Sequence, residues 1–323
     1  MKKLRFAMVG TNFIGDMFLE GIKKSGRAEV VALYSRTEEK GKPFAEKYEI
    51  PRLFTNYEKM LAAGGFDAVY IASPTFLHKE MTCLALLSGY HVLCEKMIAV
   101  NYGEFLEMKR AAEKSGKILL EAMRPDFDPS IDHIENALAK IGSVKEVFLE
   151  YRQYSSRYDK FKRGIVENAF NPTLRNSALS DIGIYPLHIA VRLFGLPQRI
   201  DARSCFLENG FEGSGELTLD YGSFSARILY SKTYEGENVS YIRGEHGEIV
   251  FDKMTEPKNI KITISGENTP EFSPPENNMA SEIDAFCNTV MGICDFSDRI
   301  KITESTMKLI DEIYNIAGIT FPE

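Results

Sequence analysis

The N-terminal third of the chain alternates short apolar runs with segments whose apolar residues recur at helical spacing. The first run, Leu4 to Val9, is short enough for a buried strand and ends abruptly at Gly10. From Ile14 to Ile22 the apolar residues recur every three or four positions, which predicts an amphipathic helix. A strand, a glycine-bounded turn and a helix form the first half of a βαβ unit, and the N-terminal amides of such a helix can hold a dinucleotide pyrophosphate.

The same alternation continues to residue 123. Apolar and β-branched runs predict strands at Glu29 to Tyr34, Phe66 to Ser73, His91 to Cys94 and Lys117 to Ala122. Helices are predicted between them at Thr37 to Tyr48, Lys79 to Ser88 and Gly103 to Ser115. Such alternation is typical of a doubly wound parallel sheet, so residues 1–123 are predicted to form an N-terminal Rossmann domain that binds a dinucleotide.

From residue 124 the pattern changes to long strands in which polar and apolar residues alternate. They are predicted at Val144 to Tyr154, Arg199 to Leu207, Gly215 to Asp220, Phe224 to Ser231, Val239 to Arg243, Glu248 to Phe251 and Ile260 to Ser265. Helices are predicted at Ser130 to Lys140, Met279 to Met291 and Thr303 to Ala317. Residues 124–323 are therefore predicted to form an α+β domain with an open, mainly antiparallel sheet, in a chain of the α/β class.

Length and charge narrow the class of protein. A chain of 323 residues can bury a large core and favours two domains over one. The net charge of -7 and the lack of a long basic run argue against a nucleic-acid partner. The first apolar run is too short for a signal peptide, and no segment is long enough to span a bilayer, so we expect a cytoplasmic protein without a membrane partner.

Cysteine and histidine usage gives no sign of a metal. The five cysteines are odd in number and lack C-x-x-C spacing, which predicts buried thiols in a reducing compartment. The five histidines are equally scattered. No metal site is predicted.

The first turn departs from the glycine pattern G-x-G-x-x-G of dinucleotide-binding domains. Gly10 and Gly15 match it, whereas Asn12 stands at the middle position. Asparagine tolerates left-handed backbone better than most residues, so the turn can form, but its side chain would crowd the approach of backbone to phosphate. The motif alone leaves open an α/β domain whose first turn holds no ligand.

The end of the second strand bears on the choice of cofactor. NAD binders place an acid there to accept hydrogen bonds from the adenosine ribose, and this chain has Tyr34, Ser35 and Arg36 instead. Ser35 and Arg36, with Lys40, could bind a 2′-phosphate, which favours NADP over NAD as cofactor. The alternative is that Arg36 is a solvated residue that opens the next helix.

Because ligands bind outside the carboxyl ends of parallel strands, the loops that follow these strands should converge on one crevice. The residues predicted to bind the cofactor there are Gly10, Thr11, Asn12, Phe13, Ile14, Ser35, Arg36, Ser73, Pro74, Thr75, His78, Glu95, Lys96, Glu121 and Arg124. His78 is expected to support the nicotinamide side of the crevice without taking part in the chemistry.

Several motifs in order along the chain resemble the Gfo/Idh/MocA oxidoreductases. They are GTNFIG, YSR after the second strand, VYIASPTFLH, HVLCEKM, EAMR and NPTLRNSALSDIGIYPLHIAVRLFG. The segment ALSDIGIYPL is most similar to the branch that contains dimeric dihydrodiol dehydrogenases and glucose-fructose oxidoreductase. The resemblance implies NAD(P), a second domain for substrate binding and oligomerisation, and redox chemistry on a hydroxyl of a sugar, cyclitol or dihydrodiol. It also implies a homodimer or homotetramer through the C-terminal sheet, whose uncovered face would otherwise present an apolar patch.

The resemblance also points to the catalytic residues. The family motif E-K-P appears as Glu95-Lys96-Met97, which keeps the lysine and lacks the proline. Asp181 and Tyr185 match positions that the family uses for substrate binding or acid–base work. Tyr185 is the usual proton carrier in this branch, and Lys96 could bind the substrate oxygen and favour ionised tyrosine. The alternative for Lys96 is a surface lysine at a strand end.

The helix that carries this motif leaves one role open. Asp181, Tyr185 and His188 are spaced i, i+4 and i+7 and share one face if the helix is continuous. Pro186 fits best if the helix begins near Tyr185 after a turn that contains Gly183. The apolar neighbours of His188 make a buried structural histidine as acceptable as a catalytic one.

Other residues around the expected substrate pocket are less informative. Arg175-Asn176-Ser177 stands where relatives usually carry glycines, so its side chains could narrow the pocket or signal a rebuilt loop. Tyr151, Tyr154, Arg157 and Tyr158 could reach a substrate or could simply pack. The sequence therefore predicts an NAD(P)-dependent dehydrogenase of a polyhydroxylated small molecule, with a catalytically silent dinucleotide-binding regulator or scaffold as the alternative.

Overall fold

The structure is a computed structural model that describes residues 3–270 and 272–322. The strands are β1 (Leu4–Val9), β2 (Ala28–Tyr34), β3 (Leu53–Phe54), β4 (Ala68–Ile71), β5 (His91–Glu95), β6 (Leu119–Ala122), β7 (Val144–Arg152), β8 (Arg199–Phe206), β9 (Glu212–Asp220), β10 (Ser225–Ser231), β11 (Val239–Gly244), β12 (Gly247–Asp252), β13 (Lys258–Ile264) and β14 (Glu267–Asn268). The α-helices are α1 (Phe13–Ser25), α2 (Glu38–Lys47), α3 (Tyr57–Ala63), α4 (His78–Leu87), α5 (Tyr102–Ser115), α6 (Pro129–Leu138), α7 (Ser156–Phe161), α8 (Ile184–Phe194), α9 (Asn278–Val290) and α10 (Arg299–Ala317).

The residues form two compact units. The first contains the described residues up to Arg124 and those of Asn277–Lys301. The second contains the described residues of Pro125–Glu276 and those from Ile302 onward. Each unit is built around a sheet of its own.

The sheet of the first unit is parallel, with six strands in the described residues in the order β3-β2-β1-β4-β5-β6. All four residues of β4 are buried, as expected for a strand covered on both faces. The strand order reverses between β1 and β4, and this switch point is where doubly wound sheets bind ligands. The predicted Rossmann sheet is confirmed, although the sequence analysis missed the short β3 and the following α3.

Helix α9 belongs to the first unit, whereas the sequence analysis assigned it to the second domain. It packs on α1, where an added Cβ at Gly21 would lie 2.6 Å from the Cγ atom of Met279. The Ser25 hydroxyl donates a hydrogen bond of 2.5 Å to Asp284. A glycine on α1 thus lets the two helices approach closely, a contact between distant parts of the chain that local patterns do not reveal.

The sheet of the second unit is mainly antiparallel, in the order β14-β13-β12-β11-β7-β10-β9-β8. Only the pair of β7 and β10 is parallel among these described strands. Helix α8 packs on β7 and β10, and its residues from Ile184 to Arg192 are buried. The predicted open antiparallel sheet with a helix-covered face is therefore confirmed.

The other face of this sheet carries charged pairs. Arg227 is exposed between the buried Ala226 and Ile228, and its Nε lies 2.6 Å from a carboxylate oxygen of Glu216. Arg243 similarly lies 2.9 Å from Glu146 on a neighbouring strand. The expectation that this face presents an apolar patch is wrong at these positions, because alternating residues place charges there.

Candidate functional site

The turn after β1 brings backbone close to the end of β4. Gly10 has φ of +103°, and an added Cβ would lie 2.6 Å from the carbonyl oxygen of Ala72. At Gly15 an added Cβ would lie 2.3 Å from the Cε atom of Met8 on β1. The two glycines therefore permit a tight turn and close packing of α1 on the sheet, which are the roles that glycines have in dinucleotide-binding turns.

Asn12 caps α1 and fastens the turn to β4. Its side-chain oxygen accepts a hydrogen bond from the Gly15 amide at 3.3 Å, and its amide nitrogen donates to the Ala72 carbonyl at 3.3 Å. Its backbone is extended, with φ of -92° and ψ of 178°, so the left-handed geometry considered from the sequence is not needed. Phe13 beside it is 63% exposed. The side chain of Asn12 is held in place by these two bonds, which shape the turn.

The end of β2 offers exposed cations. Ser35 is buried, and its amide donates to the carbonyl of Phe54 at 3.0 Å. Arg36 and Lys40 are exposed. Of the three side chains predicted to meet a 2′-phosphate, these two are the accessible ones.

His78 joins the loops that follow β4 and β5. It is 1% exposed, and its ring nitrogens lie 2.8 Å from the Ser73 carbonyl and 3.0 Å from the Met97 carbonyl. Burial lowers the pKa of His78, despite the opposing effect of these carbonyls. The exposed Pro74 and the 3-10 helix Thr75–Leu77 lie between Ser73 and His78 in the chain. His78 thus links the loops after β4 and β5, and its support of the nicotinamide side of the crevice stays a prediction.

Two acids at the strand ends are buried. Glu95 accepts a hydrogen bond of 2.5 Å from the hydroxyl of Tyr70, and burial raises the pKa of Glu95. Glu121 accepts a hydrogen bond of 3.0 Å from the Ile98 amide. Between them along the chain, Lys96 is half-buried and its peptide bond to Met97 is cis. The acids therefore hold together the loop that carries Lys96, and Tyr70 is a partner that the sequence analysis missed.

Three more residues predicted to bind the cofactor lie just after β1 and β6. Arg124 donates from Nη1 to the Asn278 side chain at 3.4 Å. Thr11 and Ile14 are half-buried on the first turn. The first unit therefore brings the loops after β1, β4 and β5 together, through Gly10 against Ala72 and through His78.

In the second unit, Asp181 lies in a π-helix rather than in a simple turn. The π-helix Leu179–Gly183 runs directly into α8. At Gly183 an added Cβ would lie 2.8 Å from the ring of Tyr230, so glycine is needed for this close packing. The helical path is thus continuous where the sequence analysis expected a turn, and π-helical turns of this kind are frequent at functional sites.

Asp181 is paired with a lysine that the sequence analysis did not identify. The Nζ atom of Lys232 lies 2.7 Å from Oδ2 of Asp181. The lysine side chain is 5% exposed and the aspartate side chain 41%. Lys232 directly follows β10 in the tripeptide Ser231-Lys232-Thr233, which carries no pattern that separates it from a surface lysine.

Tyr185 is 6% exposed on the first turn of α8. Its ring packs edge-to-face on Tyr151, with 5.9 Å between the ring centroids. Tyr154 and Tyr158 pack edge-to-face on each other, and the Tyr154 hydroxyl donates to Asp159 at 2.6 Å. Most of the tyrosine cluster is thus engaged in packing, and Tyr151 is the member that contacts Tyr185.

His188 is completely buried. Its Nε2 lies 3.3 Å from a carboxylate oxygen of Asp126, and its Nδ1 lies 3.4 Å from the hydroxyl of Thr306. Asp126 also contacts the buried Arg192 at 3.3 Å. These contacts with buried side chains favour the structural interpretation of His188, although the approach of Nε2 to Asp126 does not have the geometry of a hydrogen bond.

A buried carboxyl lies beneath the π-helix. Glu212 is 1% exposed and accepts a hydrogen bond of 2.9 Å from the Leu179 amide. Burial raises the pKa of Glu212 to about 7. Beside it, Ser177 and Ser180 hydrogen-bond each other, and Ser177 is fully buried. The segment before the π-helix is therefore fixed by buried polar contacts, and the alternatives for Arg175-Asn176-Ser177, a narrowed pocket or a rebuilt loop, stay predictions.

Within the described ranges, no three residues of His, Cys, Asp or Glu are arranged to hold a metal ion. All five cysteines are free thiols, but Cys205 and Cys294 are exposed, so the prediction that the thiols are buried is wrong for these two. None of the helices in the described part of the chain is both long and apolar enough to cross a membrane.

Comparisons with known proteins decide the family. The model of an oxidoreductase family with an NAD-binding Rossmann fold, Gfo/Idh/MocA, matches residues 4–123. The scyllo-inositol 2-dehydrogenase (NADP(+)) of Bacillus subtilis is 38% identical over 323 residues, which cover 99% of this chain and 98% of the relative. The chain belongs to the Gfo/Idh/MocA oxidoreductase family. The predictions of the family and of an enzyme are thereby confirmed, and the silent regulator is not favoured.

Two more distant comparisons also cover almost the whole chain. The mouse trans-1,2-dihydrobenzene-1,2-diol dehydrogenase is 25% identical over 99% of this chain and 98% of its own length. A crystal structure of a 3-ketoreductase from Actinomadura kijaniata, in complex with NADP and TDP-benzene, matches with a TM-score of 0.87. It is 20% identical and covers 98% of each chain, so it supports the fold alone.

Proposed function

We propose that the protein is an NADP-dependent dehydrogenase that oxidises a secondary hydroxyl of a cyclitol or a closely related polyhydroxylated molecule. The observation that carries this proposal is the near-full-length similarity to a relative named for NADP(+) and scyllo-inositol. Sugars and dihydrodiols, which appear in the names of more distant relatives, are the next substrates to consider.

The first turn fits a dinucleotide. A Cβ at Gly10 would fill the space against Ala72, and the N-terminal turn of α1 follows at once. Residues 11–14 and 73–75, the loop that carries Lys96, and Glu121 and Arg124 at the end of β6 would hold the cofactor, as predicted from the sheet topology. Arg36 would bind the 2′-phosphate that distinguishes NADP from NAD. When bound, NADP supplies the acceptor for the hydride that leaves the carbinol carbon.

The acid–base work is assigned to three side chains. Tyr185 takes the hydroxyl proton as the alcohol becomes a ketone, and Lys96 supplies a positive charge that stabilises the anion developing on the substrate oxygen. Asp181 binds a substrate hydroxyl and so orients the carbinol carbon. These roles follow from the family resemblance and from the chemistry of each side chain.

A substrate panel tests the proposal. The rate of NADP reduction is measured with scyllo-inositol, other inositols, aldoses and a trans-dihydrodiol, and the oxidised product is identified by mass spectrometry. We expect turnover with at least one cyclitol and a product lighter by two hydrogen atoms. Binding of NADP without turnover of any member of the panel would support the regulator instead.

We also propose a homodimer or homotetramer in the cytoplasm. Assembly through the C-terminal sheet is supported by the family resemblance and is compatible with a face of charged pairs. Five free thiols support a reducing compartment. Light scattering on the purified protein should give a multiple of the 36.5 kDa chain mass, and a mass of one chain would contradict the assembly.

A further inference from the structure

Lys232 is a buried cation whose ammonium has a small set of close contacts. Besides Asp181, it donates a hydrogen bond of 2.7 Å to the carbonyl of Ala169. The Nζ atom also lies 4.8 Å from the ring centroid of Phe170 and 5.2 Å from that of Phe211. Both phenylalanines are completely buried.

These contacts fix the ammonium from several sides. The aromatic faces attract the cation, and the carbonyl takes one of its three donors. A buried lysine is costly to keep unless it is paired, and an apolar side chain of the same size would usually serve packing as well. The positive charge of Lys232 is therefore better explained by its contact with an acidic partner than by a contribution to the stability of the fold.

That partner is Asp181, whose side chain is 41% exposed although Lys232 beneath it is not. The carboxylate lies in a π-helix, where the backbone hydrogen-bond pattern is irregular. A short contact to a fixed cation restricts the rotation of the carboxylate in a way that this backbone alone does not. Lys232 itself is too buried to meet a substrate.

We propose that Lys232 is a positioning residue that holds the Asp181 carboxylate in the orientation needed to bind a substrate hydroxyl. This inference rests on the proposed function, because it takes Asp181 to be a substrate-binding group. It adds to the site a residue far from the Asp181 motif in sequence.

A double-mutant cycle on the full-length enzyme tests the inference. The kcat/KM for scyllo-inositol, or for the best substrate of the panel, is measured for Asp181→Asn, Lys232→Met and the double variant. Lys140→Met, an exposed lysine of the same unit, is the matched control. We expect each single variant to lose on the order of 10- to 100-fold, and the double variant to lose no more than Asp181→Asn.

Other outcomes separate the possible failures. Wild-type kcat/KM in Lys232→Met, or losses that multiply in the double variant, would overturn the positioning role and leave the proposed function standing. Wild-type kcat/KM in Asp181→Asn would overturn the role of Asp181 and the inference with it. If Lys232→Met does not fold, Lys232→Gln replaces it, because its amide can still donate to Ala169 while the charge is lost.

Discussion

Buried polar groups support the π-helix Leu179–Gly183 of the second unit. Lys232 contacts Asp181, and Glu212 accepts a hydrogen bond from the Leu179 amide. Lys232 is 51 positions from Asp181 in the sequence, and Glu212 is 33 positions from Leu179. The family resemblance pointed to Asp181 and Tyr185 through a motif, but a motif cannot indicate which distant charge will lie below it.

Glu212 predicts a pH dependence of stability. Its pKa in the folded protein is raised to about 7 from an ordinary 4.5, so the folded state keeps a proton that the unfolded chain has lost. The contribution of Glu212 to the free energy of unfolding should therefore be greatest below about pH 4.5. It should fall by about 3 kcal/mol as the pH rises to about 7.

Thermal unfolding measured from pH 5 to pH 8 checks this prediction. Glu212→Gln should flatten the fall in melting temperature between pH 5 and pH 7, because glutamine has no proton to retain. The exposed Glu245→Gln should keep the wild-type slope. An unchanged slope in Glu212→Gln would show that Glu212 does not titrate with the assigned shift.

At the scale of elements, the sequence predicted those with long, regular patterns. The bounds of β1 agree with the prediction, and the helices and long strands agree within a few residues. The misses are short elements: the two-residue β3 and β14, the seven-residue α3 and the six-residue α7. Such segments are too brief for periodicity to emerge, and the π-helix Leu179–Gly183 has a hydrogen-bond pattern that spacing does not encode.

The first turn gives a prediction at this scale. Asn12→Ala removes the cap of α1 and the bond to Ala72, so it should lower the free energy of unfolding by about 1 kcal/mol and weaken NADP binding. Asn56→Ala removes a comparable cap from α3 and should cost similar stability without affecting NADP. Urea unfolding and NADP titration measure both effects. Equal NADP affinity in the two variants would rule out a role for Asn12 in shaping the cofactor turn.

At the scale of the whole molecule, the two units divide the chain differently from a single cut near residue 124. Residues Asn277–Lys301 return to the first unit because α9 packs on α1. The sequence predicted both kinds of sheet, since strand patterning differs between them, but the return of a late helix depends on a contact made only after folding.

Preferential stabilisation of the folded chain by NADP is the prediction at this scale. A ligand that binds only the folded state raises the melting temperature more when its affinity is higher. NADP should therefore raise the melting temperature more than NAD at equal concentration, since Arg36 would bind the 2′-phosphate that NAD lacks. Arg36→Ala should weaken NADP binding about 10- to 100-fold and leave NAD binding nearly unchanged, since charge-assisted hydrogen bonds contribute about 1.5–3 kcal/mol. Lys23→Ala is the control, because Lys23 is an exposed cation in the last turn of α1, away from the first turn. An equal loss of affinity for NADP and NAD in Arg36→Ala would mean that Arg36 does not bind the 2′-phosphate.

The most direct test of the account as a whole is the kcat for NADP-linked oxidation of scyllo-inositol by the wild type and by Tyr185→Phe. We predict measurable turnover by the wild type and a loss of about 10²- to 10⁴-fold in the variant, since phenylalanine cannot accept the hydroxyl proton. Tyr221→Phe, which removes a hydroxyl that donates to the Gly195 carbonyl, should retain wild-type kcat. A Tyr185→Phe enzyme with the kcat of the wild type would contradict the proposed mechanism.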